Sequence, residues 1–146
     1  HEVEGIHYHF YSDDEFIRKI QNDEMIEWSI FNNWQYGTSF DALSQDNLNV
    51  GVFNPAAIRQ LLKNDKCNIK VFWVRTAPKE RLLRQLLREE DPNVYEIVRR
   101  AKADFEDFEK IDFEYIIIPN NNSTELLAGP KAIMRSFETE SALGQN

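Results

Sequence analysis

An α/β fold with a largely parallel sheet is what this sequence predicts, on three observations. Short apolar runs rich in β-branched and aromatic residues recur along it, at Met25–Phe31, Ile69–Val74 and Tyr115–Ile118. Segments with helical spacing of apolar residues separate those runs. The 146 residues are 42% hydrophobic and 12% aromatic, enough to build a core and enough for one domain.

Each element has a local reason. Ser12 followed by Glu15 makes a capping box, and Phe16, Ile17 and Ile20 form an apolar stripe, so residues 13–21 read as a helix. Met25–Phe31 reads as a strand, closed by the turn signal Asn32-Asn33. Trp34–Ser39 holds a glycine beside small hydroxyls and reads as a short strand or a loop; Asp41–Gln45 reads as the start of a second helix. Val50–Phe53 reads as a short strand ending at Asn54-Pro55, and Ala56–Leu62 as a helix. Ile69–Val74 reads as a buried strand. Pro78, which suits a first helical turn, opens a helix that runs to Arg88 and is broken by Asp91-Pro92. Val94–Glu109 reads as a long amphipathic helix and Tyr115–Ile118 as a buried strand. Residues 120–123 form a polar loop, Glu125 leads into a last helix, and residues 140–146 read as a frayed end.

Composition narrows function. A net charge of -8 argues against a protein that coats nucleic acid, which needs a basic face, but leaves room for one small anion. Cys67 is the single cysteine, so neither an internal disulfide nor a cysteine metal site is expected, and a reduced cytoplasmic setting fits. No apolar run approaches the ~18 residues of a membrane span. No signal-peptide pattern is visible. The sequence contains no GxxxxGK[ST], and its five glycines nowhere form a phosphate cradle, so these residues offer no obvious place for the triphosphate of ATP. The chain opens with His1 rather than Met, and a preceding segment is expected to be absent from it.

Three ordered blocks carry a resemblance. They are Glu2-Val3, Gly5, Tyr8 and Phe10; then Ile26-Glu27-Trp28; then Tyr36-Gly37-Thr38-Ser39. In content and spacing they resemble guanylate kinases, and weaker similarity continues to about residue 118. The resemblance implies a P-loop-kinase-type parallel sheet flanked by helices, with a small mixed nucleotide-monophosphate-binding subdomain. The first strand and phosphate loop are absent from this sequence. It implies a GMP-binding part at about 1–50, core at about 51–77 and 103–140, and a lid at about 78–102.

Roles follow by the same resemblance. Glu27 and Thr38 hold guanine, Tyr8 and Tyr36 hold the acceptor phosphate, and Glu2 and Gly37 complete the substrate-binding set. The chemistry agrees, because one carboxylate can accept both guanine N1–H and N2–H₂, and phenol hydroxyls donate to a phosphate. Two further phosphate-binding arginines of the family would precede His1. In the lid, Arg84, Arg88 and Arg100 are the candidate catalytic residues. Arg100 matches the family's last lid arginine. If Leu82 and Leu86 take the family's leucine positions, Gln85 and Glu89 stand where arginines are expected. Arg84 and Arg88 are then one residue off, ~100° around the helix. The competing reading of these arginines is a solvated Arg/Glu face.

Two departures touch the donor and metal side. The family's Asp-x-Asp is replaced by Val52-Phe53-Asn54, and its adenine-contacting Asn by Pro119, with Asn120 one place later. His1, His7 and His9 read as ordinary polar positions, and no metal site is expected in this chain; Mg2+ would come with ATP in the complete enzyme. The implied activity is transfer of the ATP γ-phosphate to GMP, in which this chain holds the GMP site and lid and is inactive alone. The implied partners are GMP and ATP, with no nucleic acid and no membrane. The alternatives are a catalytically inactive guanylate-kinase-like module that binds a phosphopeptide or a nucleotide, and a remodelled kinase for another nucleotide.

Overall fold

The structure is a computed structural model that describes residues 2–31, 33–88 and 90–143. It divides into two compact units, His1–Ile69 and Lys70–Asn146. The fold is α/β, with one antiparallel strand pair in the first unit and one parallel pair in the second.

The first unit opens with α1, Asp13–Gln21. The expected capping box forms: the Ser12 backbone N–H donates to the Glu15 carboxylate at 3.0 Å, and the Ser12 hydroxyl accepts from the Glu15 N–H at 3.4 Å. Asp23, at φ 54°, turns the chain into β1, Met25–Phe31. That strand pairs antiparallel with β2, Trp34–Ser39. The register sets Glu27 opposite Thr38, Trp28 opposite Gly37 and Ser29 opposite Tyr36, with an irregularity between Met25 and Glu27. A 3-10 turn, Phe40–Ala42, follows, and the Phe40 N–H donates to the Glu24 carbonyl at 3.0 Å. Helix α2, Pro55–Leu61, packs on β1. The Asn54 side chain caps it, accepting from the Ala57 N–H at 2.9 Å. Phe16, Ile26, Pro55, Ala57 and Leu61 are the buried apolar residues of this unit among the described residues.

The second unit contains β3 (Phe72–Arg75), α3 (Pro78–Leu87), α4 (Val94–Asp107), β4 (Ile116–Pro119) and α5 (Ser123–Leu143). β3 and β4 are parallel, with Phe72 opposite Ile116 and Arg75 opposite Pro119. Helix α5 packs on β4 at Gly129, where a Cβ would lie 3.1 Å from the Ile118 methyl. Trp73 packs between Phe108, stacked at 6.2 Å, and Tyr115, edge-on at 5.1 Å. Helices α3 and α4 pack together, with Arg81 3.8 Å from Asp104 and over the Phe105 ring.

Several expectations are corrected. Val50–Phe53 forms no strand; Val52 is fully exposed, and without a partner ladder its β-branched side chain has nothing to pack on. Asp41–Gln45 yields only the 3-10 turn, because Leu43 is already extended, at φ -83° and ψ 132°. β3 starts at Phe72 rather than Ile69, and β4 is displaced one residue to Ile116–Pro119. Neither is a buried strand: Val74, Ile116 and Ile117 are each about half-exposed and only Ile118 is buried. α5 begins at Ser123, before Glu125, since the Asn122 side chain accepts from the Glu125 N–H at 3.0 Å and caps it. Of the expected frayed end, residues 140–143 continue α5, and 144–146 lie outside the described residues.

Candidate functional site

Glu27 is the one buried charged side chain among the described residues, 6% exposed. It is buried because β1 is covered by α2 and paired with β2, and the ladder places Thr38 directly opposite. The Thr38 hydroxyl donates to Glu27 Oε1 at 2.8 Å. Burial pushes the Glu27 carboxyl above its ordinary value, while the hydroxyl and the N–H of Thr38 pull it part of the way back. A carboxylate has about four lone-pair sites, so these bonds leave acceptor capacity for two adjacent N–H donors.

Strand alternation extends this face. Tyr36 lies two residues before Thr38 on β2, so both side chains point the same way. The Tyr8 ring sits edge-on to Tyr36, with centroids 5.9 Å apart and planes at 66°. Tyr8 is brought there by a tight turn in which Gly5, at φ 73°, donates its N–H to the Tyr8 carbonyl at 2.8 Å. The Glu4 carboxylate braces the same turn by accepting from the Phe10 N–H at 2.6 Å. Gly37 lies on the opposite face, where an added Cβ would be 2.6 Å from the Glu27 carbonyl oxygen and 2.6 Å from the Met25 methyl. Only glycine fits that crossing. The structure thus brings Tyr8, Glu27, Tyr36, Gly37 and Thr38 into one unit, and Glu2, in the same unit, is exposed.

The arginines are arranged differently. Arg84 and Arg88 are exposed. Arg81, Leu82 and Gln85 line the side of α3 that meets α4, so Arg84, one position before Gln85, is turned away from that helix. The Gln85 Oε1 is buried without a hydrogen-bond partner, and Glu89 lies outside the described residues. Arg100 donates to Glu96 at 2.7 Å, and Arg99 donates to the same carboxylate through two nitrogens at 2.8 Å. Those bonds, Arg99's first, hold Glu96 down at about 2.

Val52 and Asn54, where the resemblance expects an acidic pair, do not fit a Mg2+ site. Val52 has no ligand atom, and the Asn54 oxygen is already taken by the Ala57 N–H. Among the described residues no group of three His, Cys, Asp or Glu side chains converges. His7 accepts from the Val3 N–H at 3.0 Å and His9 lies 3.2 Å from Glu4, while His1 is outside the described residues. The Asn120 side-chain oxygen is buried and unpartnered at the carboxyl end of β4.

Two residues pass unnoticed in the sequence. Glu96 has a signal, its three- and four-residue spacing to Arg99 and Arg100 on a helix. Gln60 has none: its side-chain amide accepts from the Trp28 N–H at 3.1 Å and donates to the Trp28 carbonyl at 2.8 Å, across 32 residues of chain.

Among known proteins, the family model described as Guanylate kinase matches residues 1–136. A guanylate kinase of Mycoplasma genitalium is 28% identical over 140 residues, covering 92% of this chain and 58% of its own length. One of Campylobacter jejuni is 26% identical over 152 residues, covering 99% of this chain and 72% of its own. A guanylate kinase of Helicobacter pylori is 47% identical over a stretch of 38 residues. The chain spans 58% of the length of the first of these relatives and 72% of the second, while the short Helicobacter pylori match covers 26% of this chain and 18% of that protein. No described helix is long and apolar enough to cross a membrane. With the match reaching across nearly all of the chain and both units, this protein belongs to the guanylate kinase family.

Proposed function

We propose that this chain binds GMP and carries the acceptor half of an ATP:GMP phosphotransfer. The observation that carries the proposal is the buried Glu27 carboxylate, held by Thr38 on the face that Tyr36 and Tyr8 continue. Guanine N1–H and N2–H₂ meet the spare acceptor capacity of Glu27, and the Thr38 hydroxyl adds to the same edge. The hydroxyls of Tyr8 and Tyr36 take the phosphate, with Gly37 keeping the two strands close and Glu2 at the margin. Residues of about 1–50 form the GMP-binding part, about 51–77 and 103–140 the core, and about 78–102 a lid. Arg84, Arg88 and Arg100 serve charge that develops on the transferred phosphoryl group, which is where positioned cations do most in this chemistry. ATP brings Mg2+ with it in the complete reaction, in a cytoplasmic setting. This chain by itself does not hold the donor tightly, since no phosphate-loop motif is among its residues.

Val52 and Asn54 favour a second reading, a module that holds a nucleotide or a phosphopeptide without transfer. The first is an exposed aliphatic residue, and the second is engaged as a helix cap. Calorimetric titration of the chain with GMP, AMP and ATP tests the proposal. GMP is expected to bind at least about tenfold more tightly than AMP, because AMP leaves the buried carboxylate without its donors. Equal affinity for GMP and AMP overturns guanine recognition. Binding of a phosphopeptide with no nucleotide binding installs the second reading.

A further inference from the structure

Among the described residues the outer edge of β1 has no strand beside it, and β2 is its one ladder partner. Edge N–H and C=O groups of this kind normally go to water. At Trp28 they go to Gln60 instead: the amide oxygen accepts from the N–H and the amide nitrogen donates to the carbonyl, at 3.1 and 2.8 Å. A primary amide presents donor and acceptor side by side at any ordinary pH, so it does here what a neighbouring strand would do. Gln60 sits in α2 between Ala57 and Leu61, which are buried, and that helix is fixed at its start by the Asn54 cap.

The place of this clamp matters. Trp28 directly follows Glu27. Just before Glu27 the ladder is irregular, with the register shifting between Met25 and Glu27. An irregularity there bends and twists the strand and re-aims the side chains beside it, and one residue of slip moves a side chain to the other face. The inner edge is tied to β2 and the outer edge to Gln60, at successive positions. We infer that Gln60 is a positioning residue for the base site: its amide clamp on Trp28 sets the rotation of β1 that keeps Glu27 buried against Thr38. The inference rests on the GMP reading for its functional meaning, while the clamp itself acts without a nucleotide.

Two variants separate the clamp from mere packing. Gln60→Met keeps the length and bulk of the side chain and removes both hydrogen bonds. Gln60→Glu restores a donor and an acceptor side by side only while its carboxyl is protonated, and as a carboxylate it faces the Trp28 carbonyl with the same sign of charge. Two readouts are taken on the 146-residue chain: the Glu27 carboxyl titration followed by NMR, and GMP affinity followed by calorimetry. In Gln60→Met, Glu27 is expected to titrate closer to its ordinary value as β1 loosens and water reaches it, and GMP to bind about tenfold more weakly. In Gln60→Glu the GMP deficit relative to wild type at the same pH is expected to shrink as pH falls from about 8 to about 5, toward the ordinary carboxylate range. A purely space-filling role gives Gln60→Met wild-type behaviour in both readouts and gives Gln60→Glu a deficit that does not change with pH; either result overturns the inference and leaves the GMP reading standing. A wild-type chain that binds no GMP overturns that reading, and the Glu27 titration in Gln60→Met then decides on the clamp alone.

Discussion

The two units treat charge in opposite ways. In the first, one carboxylate is withdrawn from water, met by Thr38 across the ladder, and flanked by rings whose positions follow from a glycine turn and strand alternation. In the second, Arg84 on the outer side of α3 and Arg88 at its C-terminal cap are exposed, and Arg100 shares Glu96 with Arg99 at the surface. Interactions in a desolvated place are strong and hold one geometry, whereas surface pairs are screened and exchange partners at little cost. Under the proposed function, the difference suits two tasks. A group that selects a base must be set before the ligand arrives. A group that answers charge appearing only during transfer has no need of a fixed place beforehand.

That contrast can be broken or sharpened by substitution. The largest effect is expected at Arg100, measured in a form of the protein that turns over. Arg100→Ala should lower kcat by about a thousandfold and leave the KM for GMP nearly unchanged. A fall in GMP affinity instead would move Arg100 into the binding site and erase the contrast. Next comes Gly37→Ala, whose Cβ meets backbone at 2.6 Å. Denaturant unfolding should show a loss of about 2–3 kcal/mol, and GMP binding should weaken with it. Thr38→Val leaves the Glu27 carboxylate buried without its hydroxyl donor, so stability at neutral pH should drop by about 1–2 kcal/mol. The same variant should push the Glu27 titration further up, and an unmoved titration would show that the 2.8 Å bond carries no weight. Smallest is the pair Arg84→Ala and Arg88→Ala: each should change stability by less than about 0.5 kcal/mol and leave GMP affinity of the chain as it was.

How much was legible beforehand follows the same division. The α1 helix and the strand Met25–Phe31 could be read because local signals were strong, a capping box and an apolar run; Trp34–Ser39 stayed open between strand and loop, and the register that sets Glu27 opposite Thr38 had no local signal at all. Val50–Phe53 misled, since alternating apolar residues signal a strand only if a ladder exists to receive them, and there Val52 meets solvent. The buried character expected of IKVFWV and of Tyr115–Ile118 was not found either, because burial of a strand depends on what covers it and not on its own composition. On α3 the arginines were visible but their direction was not; it is settled by Leu82 and Gln85 facing α4. Gln60 was illegible altogether, for a contact between residues 32 apart leaves no periodic trace.

The central claim is that the buried Glu27 carboxylate recognises guanine, and its own titration gives the most direct test. Burial raises the folded-state value above the ordinary one. As pH falls through that raised value, Glu27 gains a proton, one acceptor oxygen becomes a donor, and GMP affinity should fall. Stability from this group runs the other way. The native state holds the proton more tightly than the unfolded chain, so its contribution is full below the unfolded value and is lost as pH rises through the folded one. The measurement is GMP affinity by calorimetry across that range for wild type and for Glu27→Gln. The ionisation of the GMP phosphate is common to both proteins and cancels in their ratio. The account predicts that Glu27→Gln binds more weakly at neutral pH by about 10- to 100-fold, and that this gap closes as wild-type Glu27 becomes protonated. Superimposable titrations for the two proteins at every pH would contradict it and remove Glu27 from the base site.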